Sequence, residues 1–489
     1  MKRLKNNLLL GFLASLGMVL IVGCSDMLEP KVYTELTPDT FFQSPADFEN
    51  ALVGIYDPFS SDWAGLYNAD PKNYLLRGEV STDLFYTPWY INYSEFTWGP
   101  AGFNGDQIYD KIRTVALATD LIDKMGNSDV DISQDLQARY VAEAKTLRAF
   151  IMYILLDYWG PVNPKLDPET LSDDEIIPRM SEEAYVQQML TDLDEAIPNL
   201  DDKYNGDAEN WGRMSKGVAR MVKLRIHMHQ KNWAEAESVG KELMNMGYSL
   251  MDDYEAVFNV EQNQEIIYAV PANGQSPNYY LTEILPPGFR SSVDGSITDG
   301  DGGWYGYWIP WEFYDKFSDN DARKETILDE YKDSGGNTID ARAEHQGAIP
   351  VKFTEFEGNG PDFSMDQPVF RYAEVLLSVA EAINEQDGPT AEALSLANQV
   401  RERSFDPADM PSWSGLGQEA FRDSLLLERG REFYAEGLRR TDLIRHGEYI
   451  NRAQDRGLNA EDHHVLYPIP QEVITEGDGT IEQNPGYTQ

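Results

Sequence analysis

Chemistry-bearing residues are scarce in this sequence. One cysteine, Cys24, stands in 489 residues, so neither an intrachain disulfide framework nor a thiolate zinc cluster can form. The six histidines are badly placed for a metal. His227 and His229 lie two apart on an expected helix and face different ways, His463 and His464 are adjacent, and no HExxH run exists. Gly-x-Ser-x-Gly elbows, Walker loops and Rossmann fingerprints are absent as well. Positive charge is also short: 40 basic residues stand against 83 acidic ones, for a net charge of −43. That excludes a nucleic-acid binder of the usual kind, which needs a basic face to neutralise phosphates, and argues against docking on anionic lipid through a polybasic patch. No catalytic residue is assigned. Paired carboxylates could serve a glycosidase, but among 83 acids chance pairs are everywhere and none stands out.

The one long apolar run lies at the start. Lys2, Arg3 and Lys5 make a positive region, and Leu8 to Val22 follows. The run falls short of the about 20 apolar residues of a comfortable spanning helix but suits a secretory leader. It ends in Ile21-Val22-Gly23-Cys24, the pattern of a bacterial lipobox, whose cysteine is acylated and becomes the first mature residue. An ordinary signal peptide ending near a cysteine is the alternative, and the uniqueness of Cys24 weighs against it. Loss of residues 1–23 removes three basic and no acidic residues, so the mature net charge becomes −46. The mature chain has no further run of 18 apolar residues. It is therefore expected to be anchored by lipid at Cys24 rather than threaded through a membrane.

Helical periodicity dominates what remains. Val369–Ile383 places Val369, Tyr372, Ala373, Leu376, Ala380 and Ile383 on one stripe, and Tyr140–Tyr158 carries a similar stripe stopped by Gly160-Pro161. Met221–His229 and Ala234–Met246 form a pair across a short turn, and Asp423–Gly437 continues the theme. A faint repeat, Trp233-Ala-Glu-Ala-Glu-Ser and Thr390-Ala-Glu-Ala-Leu-Ser, follows a helix and a polar turn each time, which is the logic of tetratricopeptide hairpins. The charged run Glu428–Arg445 reads as an ion-pair network, with Glu428, Glu432 and Glu436 within helical reach of Arg429, Arg431, Arg439 and Arg440. Residues 250–365 have another grammar, rich in Gly, Pro, Asn and Asp, with short strand-like runs such as Glu265–Val270.

Aromatics concentrate in two stretches. Phe85–Tyr109 holds nine in 25 residues and Tyr279–Tyr314 ten in 36, two to three times the density of the whole chain. About half are expected in the core; interleaved Gly and Asp suit an exposed platform for the rest. Asp294, Asp299 and Asp301 lie in a Gly-rich loop and offer oxygen ligands for calcium, although their spacing is not that of an EF-hand and a solvated acidic loop is the favoured reading.

Several blocks, in order, resemble the SusD/RagB family of nutrient-binding outer-membrane lipoproteins of Bacteroidota. They are the lipobox; Ala142-Glu143-Ala144-Lys145-Thr146-Leu147-Arg148-Ala149-Phe150 with Asp157-Tyr158-Trp159-Gly160-Pro161-Val162; Phe370-Arg371-Tyr372-Ala373-Glu374 with Ala380-Glu381-Ala382; and Asn398-Gln399-Val400-Arg401. Glu428-Arg429-Gly430-Arg431-Glu432, Glu436 to Arg445, Tyr467-Pro468-Ile469-Pro470 and Gln483 to Tyr487 complete the set. The family's usual Trp four residues before Tyr109 is Gly105 here, and its usual Arg after Arg429 is Gly430. The resemblance implies a mainly α fold in which four tetratricopeptide-like helix pairs frame a loop-rich, irregular ligand-binding portion with small β elements. The expected organisation is a leader over 1–23 and one unit over 24–489, with the helical frame mainly in 36–250 and 366–470 and the variable insertion at about 251–365. It further implies capture of oligosaccharides, or alternatively peptides, at the cell surface, and delivery to a SusC-like TonB-dependent transporter of the outer membrane. A surface glycosidase and a periplasmic helical-repeat adaptor are the rivals from other classes.

Flat Trp and Tyr rings suit the C–H faces of sugars. The candidate ligand-binding residues are Trp89, Tyr90, Trp98, Trp304, Tyr307, Trp308 and Trp311, with no cofactor. Lys and Arg are absent from Phe85–Tyr109, and Tyr279–Tyr314 contains only Arg290, so a neutral glycan is expected rather than a polyanion.

Overall fold

The computed structural model describes residues 42–488 apart from 174, 274–275, 296, 298–302, 354–363 and 407. Cys24, Asp299 and Asp301 lie outside the described residues. Among those described, helices of twelve or more residues set the architecture: α1 (Pro45–Tyr56), α2 (Ile112–Gly126), α3 (Gln134–Trp159), α4 (Glu182–Ala196), α5 (Lys216–His229), α6 (Trp233–Met244), α7 (Tyr372–Asp387), α8 (Ala391–Glu402) and α9 (Gln418–Glu432). From α1 to α8 each packs on the next along the chain, except that α6 passes to α7 across the long insertion, and α9 returns to α7. The fold is mainly α, as the sequence implies.

Local chemistry explains the helix ends. Ser133, Ser181, Ser215 and Thr390 cap α3, α4, α5 and α8 by accepting from the backbone amides of Leu136, Ala184, Val218 and Ala393, each cap worth about 1 kcal/mol. Helix α3 stops where expected, at Gly160, whose φ of 71° is open to glycine at little cost. The repeated Ala-Glu-Ala motif opens α6 and α8, the second helices of two hairpins. Gly240 of α6 is why α6 and α7 approach closely: a Cβ there would sit 2.2 Å from Val379 Cγ2.

Two helical expectations need correction. Val369, Phe370 and Arg371 belong to a strand, and the helix starts only at Tyr372. The helix expected over Asp423–Gly437 ends at Glu432, leaving Glu436 beyond it. Between α6 and α7 the chain forms three small sheets. Strand β1 (Ile266–Val270) pairs antiparallel with β8 (Gln367–Arg371), in register Ile266 with Arg371 and Val270 with Gln367. Strands β2 (Phe289–Ser292), β5 (Glu330–Asp333) and β6 (Thr338–Asp340) make the second sheet; β3 (Ile309–Pro310), β7 (Gly347–Pro350) and β4 (Ile327–Leu328) make the third.

The charged motifs form a buried framework rather than a surface. Arg371 donates to Glu436 (2.7 Å), Glu432 (2.6 Å) and Glu265 (2.9 Å), and Arg323 to Glu428 (2.6 Å), Glu432 (3.0 Å) and Asp321 (2.8 Å). Arg403 also reaches Glu432 and Glu265. Burial alone would raise Glu432, but Arg403, Arg371 and Arg323 outweigh it and hold the carboxylate well below its ordinary range. Arg225–Glu374, Arg445–Glu381, Arg429–Asp442 and Arg148–Asp192 are buried pairs of the same kind. An ion-pair network is thus present, but its partners are mostly distant in sequence; of the helical neighbours expected, Arg431 and Glu428 meet at 3.7 Å. Gly430 has a structural reason: a Cβ there would lie 2.8 Å from the Arg439 guanidinium, which donates to the Leu426 carbonyl. No helix among the described residues is long and apolar enough to cross a membrane.

Candidate functional site

Three loops converge to build an exposed aromatic face. The first, after α1, carries Trp63 and is pinned by Asn73 Nδ2 donating to the Trp63 carbonyl (3.2 Å) and by Ser61 Oγ donating to the Pro277 carbonyl (3.2 Å). The second leads into a short helix, Tyr280–Ile284, and carries Tyr279. The third holds Trp304 and Tyr305. Its backbone docks on that helix, with Trp304 N donating to Thr282 O at 2.9 Å and Tyr307 N to Ile284 O at 3.0 Å. Gly303 is required beside it, because a Cβ would sit 1.8 Å from the Leu285 carbonyl oxygen.

Trp63 and Trp304 lie nearly parallel, centroids 5.4 Å apart and planes 6° from each other. Tyr279 flanks both, at 4.8 Å from Trp63 and 6.4 Å from Trp304. Trp89 continues the surface: its Nε1 donates to the Tyr305 carbonyl at 2.7 Å, and its ring meets that of Tyr305 at 5.6 Å. Trp63, Trp89 and Trp304 are 44%, 58% and 37% exposed, unusual for so many large rings in one place. Tyr90 borders the face, half-buried, its hydroxyl donating to Asp70 Oδ2 at 2.7 Å. Asp70 Oδ1 in turn accepts from the Lys72 amide, and the Lys72 ammonium lies 5.8 Å from the Tyr90 ring centroid.

The sequence candidates divide sharply. Trp89, Tyr90 and Trp304 come together. Trp98, Tyr307 and Trp308, at 7%, 0% and 5% exposure, are buried and offer no free ring face, so they are corrected out of the platform. Trp98 packs on Phe96, His464 and Tyr467 and donates to the Tyr487 hydroxyl at 2.8 Å. Trp308 stacks on His345 at 4.2 Å. Trp311 is half-buried, tied to the His345 carbonyl and covered by the Arg342 guanidinium at 4.1 Å, so it stands apart from the face. Trp63 was not singled out from the sequence. Its only signal is a Trp set in the turn-rich run Ser60-Ser61-Asp62-Trp63-Ala64-Gly65.

A concavity of about 750 Å³ elsewhere is lined by Asp294, Asp319, Asp321, Asp329 and Tyr314 among others. Tyr314, the aromatic residue of its described lining, donates its hydroxyl to Asp329 at 3.1 Å, Asp321 is spent on Arg323, and no tryptophan among the described residues faces this concavity. Of the loop considered for calcium, Asp294 accepts from the Ser292 hydroxyl at 2.5 Å. No group of three metal-ligating side chains occurs among the described residues.

Comparison with known proteins places these features. Residues 329–487 match the SusD family model. SusD-like protein P25 of Formosa agariphila is 27% identical, over 95% of this chain and 97% of its own length. The starch-binding protein SusD of Bacteroides thetaiotaomicron is 24% identical, over 71% of this chain and 73% of its own. Among solved structures, surface glycan-binding protein A from Bacteroides thetaiotaomicron in complex with laminarihexaose is 22% identical and superposes with a TM-score of 0.73, covering 90% of this chain and 100% of that one. The last likeness establishes a shared fold.

Proposed function

This chain belongs to the SusD/RagB family, and from that premise we propose that it is a cell-surface lipoprotein that binds neutral oligosaccharides and passes them to a SusC-like TonB-dependent transporter. The observation that carries the reading is the Trp63–Trp304–Tyr279 face with Trp89 at its edge. Parallel indoles offer flat, electron-rich surfaces to the C–H faces of pyranose rings, and polar groups at the margin orient the hydroxyls. Relatives named for binding starch or solved with laminarihexaose support a glycan over other apolar ligands.

Electrostatics supports a neutral ligand. Asp62 and Asp70 border the face, with Lys72 the cation described beside it, and the whole chain carries −43. A polyanion would approach against that field over a Debye length of about 8 Å at physiological salt. Binding rather than hydrolysis fits the acids beside the face: Asp70 is engaged by Tyr90 and the Lys72 amide, Asp62 accepts from the Trp63 amide, and Glu283 is closed to solvent. The lipid anchor at Cys24 would keep the receptor beside its transporter.

Calorimetry against a panel of neutral glycans, polyanionic glycans and peptides tests the reading. The expected result is binding of a neutral glycan that barely changes with salt, without new reducing ends on incubation. Preferential binding of peptides or of a sulfated polymer, or release of reducing ends, contradicts it.

A further inference from the structure

Beside the aromatic face the fold buries a carboxyl group with no hydrogen-bond partner among the described residues. Glu283 stands on the short helix Tyr280–Ile284, between Thr282 and Ile284, the two residues whose carbonyls receive the Trp304 and Tyr307 amides. Its side chain is fully buried, and among the described residues neither carboxyl oxygen has a hydrogen-bond partner. The Tyr307 hydroxyl is buried and unpartnered too. The groups that face Glu283 electrostatically come from three segments: Asp70 and Lys72, Tyr90, and Tyr305 with Tyr307.

A buried acid without partners is rare in native proteins because it forfeits its hydration and recovers nothing. Leucine at 283 would fill similar space without that penalty, so the fold itself gives no reason for the glutamate. Ligand recognition does. Burial, reinforced by the Asp70 charge, pushes Glu283 up to about 8, so it is held as the neutral acid at neutral pH. A neutral carboxyl donates through its O–H and accepts through its C=O, as a sugar hydroxyl also does.

We propose that Glu283 is the specificity-determining residue of the aromatic face, its carboxyl group exchanging hydrogen bonds with a hydroxyl of the bound ligand. The proposal rests on the reading of the face as a neutral-glycan site. The carboxyl is closed to solvent in the free protein, so this exchange requires the side chains around it to shift as the ligand enters. Asp70 beside Glu283 adds selection against carboxylated and sulfated ligands. Neutral hydroxyl-bearing ligands satisfy both carboxyl oxygens and the Tyr307 hydroxyl without bringing in charge.

The test compares wild type, Glu283→Gln, Glu283→Leu and Trp304→Ala by calorimetry on laminarihexaose, maltoheptaose and the corresponding xylo-, manno- and galacto-oligosaccharides. Gln keeps one donor and one acceptor and should bind within about threefold of wild type, whereas Leu should bind at least about tenfold more weakly, the loss expected for a hydrogen bond left unmade. Leu should melt no lower than wild type, a combination that a purely structural residue would not give. Wild-type affinity should also fall between pH 7 and 9 as Glu283 loses its proton, while Tyr90, Tyr305 and Tyr307, all pushed upward, stay neutral; Glu283→Gln should show a flat profile. Unchanged affinity in Glu283→Leu, with Trp304→Ala impaired, overturns the role of Glu283 and leaves the site standing. If Glu283→Leu fails to fold, a wild-type pH profile as flat as that of Glu283→Gln overturns it instead. Failure of wild type to bind any of these glycans removes both readings together.

Discussion

Replacing Arg371 by Met probes the buried ionic framework at its densest point. The guanidinium makes five hydrogen bonds, to Glu436 (2.7 and 2.9 Å), Glu432 (2.6 Å to the carboxylate, 2.7 Å to the carbonyl) and Glu265 (2.9 Å), and sits 4.5 Å from the Phe433 ring centroid. Removing one member of a buried ion pair costs about 3–5 kcal/mol. Here the orphaned carboxylates keep other cations: Glu432 retains Arg323 and Arg403, Glu265 retains Arg403, and Glu436 retains Lys352. The loss should therefore sit near the lower bound, about 3 kcal/mol. A melting point falls by roughly 2–4 °C per kcal/mol in domains of 150–250 residues and by about half that in a unit twice as long, so a drop of about 3–6 °C is expected. The pH dependence sharpens the test. Glu432 is depressed in the folded state, so the stability it contributes is full above its unfolded pKa and is lost as pH falls toward the folded one. Without Arg371 the depression shrinks, and the deficit of the variant should be larger at pH 7 than at pH 4. Urea unfolding followed by tryptophan fluorescence at both pH values measures it. A midpoint within experimental error of wild type at pH 7, or a deficit independent of pH, would refute the assignment of Arg371 as the centre of the network.

Other outcomes follow from separate parts of the structure. Gly240→Val should destabilise by about 1–3 kcal/mol through overpacking, because a Cβ already meets Val379 at 2.2 Å; an unchanged thermal midpoint would mean that α6 and α7 do not pack so closely. Burial pushes both Glu79 and Glu283 up to about 8, so the folded state holds protons that the unfolded state releases above about 4.5. Their contribution makes stability fall as pH rises from about 5 to 8, by up to about 1.4 kcal/mol per pH unit for each, and Glu283→Leu should visibly reduce that slope. Cys24→Ala should move the protein from the membrane fraction to the soluble fraction, and retention after a salt wash would sink the lipid-anchor argument.

Much of the frame was legible because its signals are local and redundant. The stop of α3 at Gly160 and the two Ala-Glu-Ala helix starts depend on residues within one turn. Strand β8 escaped because Val369 and Phe370 are buried residues that fit an apolar stripe of either period, and only pairing with Ile266–Val270 decides for the strand. The charged run was read correctly as structural, but as helical neighbours, since sequence cannot show that Glu436 lies past the helix end and faces Arg371 and Lys352. At the face, aromatic density marked segments that contribute exposed rings, without separating rings that pack from rings that present. Trp308 and Trp304 lie four residues apart, yet Gly306, with φ 82°, turns the chain between them and sends one into the core. Trp63 is about 240 residues from Trp304 and alone in its loop, so only the tertiary structure joins them. Glu283 was one acid among 83; burial without a partner is what distinguishes it.

Calorimetry of wild type beside Trp63→Ala and Trp304→Ala, on the neutral oligosaccharide that wild type binds tightest, addresses the function most directly. Both rings are exposed, so the variants should fold with little change in melting point. Each should lose affinity by about 1–3 kcal/mol if stacking of a base on an aromatic ring is a fair analogue of a sugar on indole, while Trp308→Phe, altering a buried ring, should leave affinity unchanged. Full-strength glycan binding by a folded protein lacking both Trp63 and Trp304 would contradict the assignment of the site.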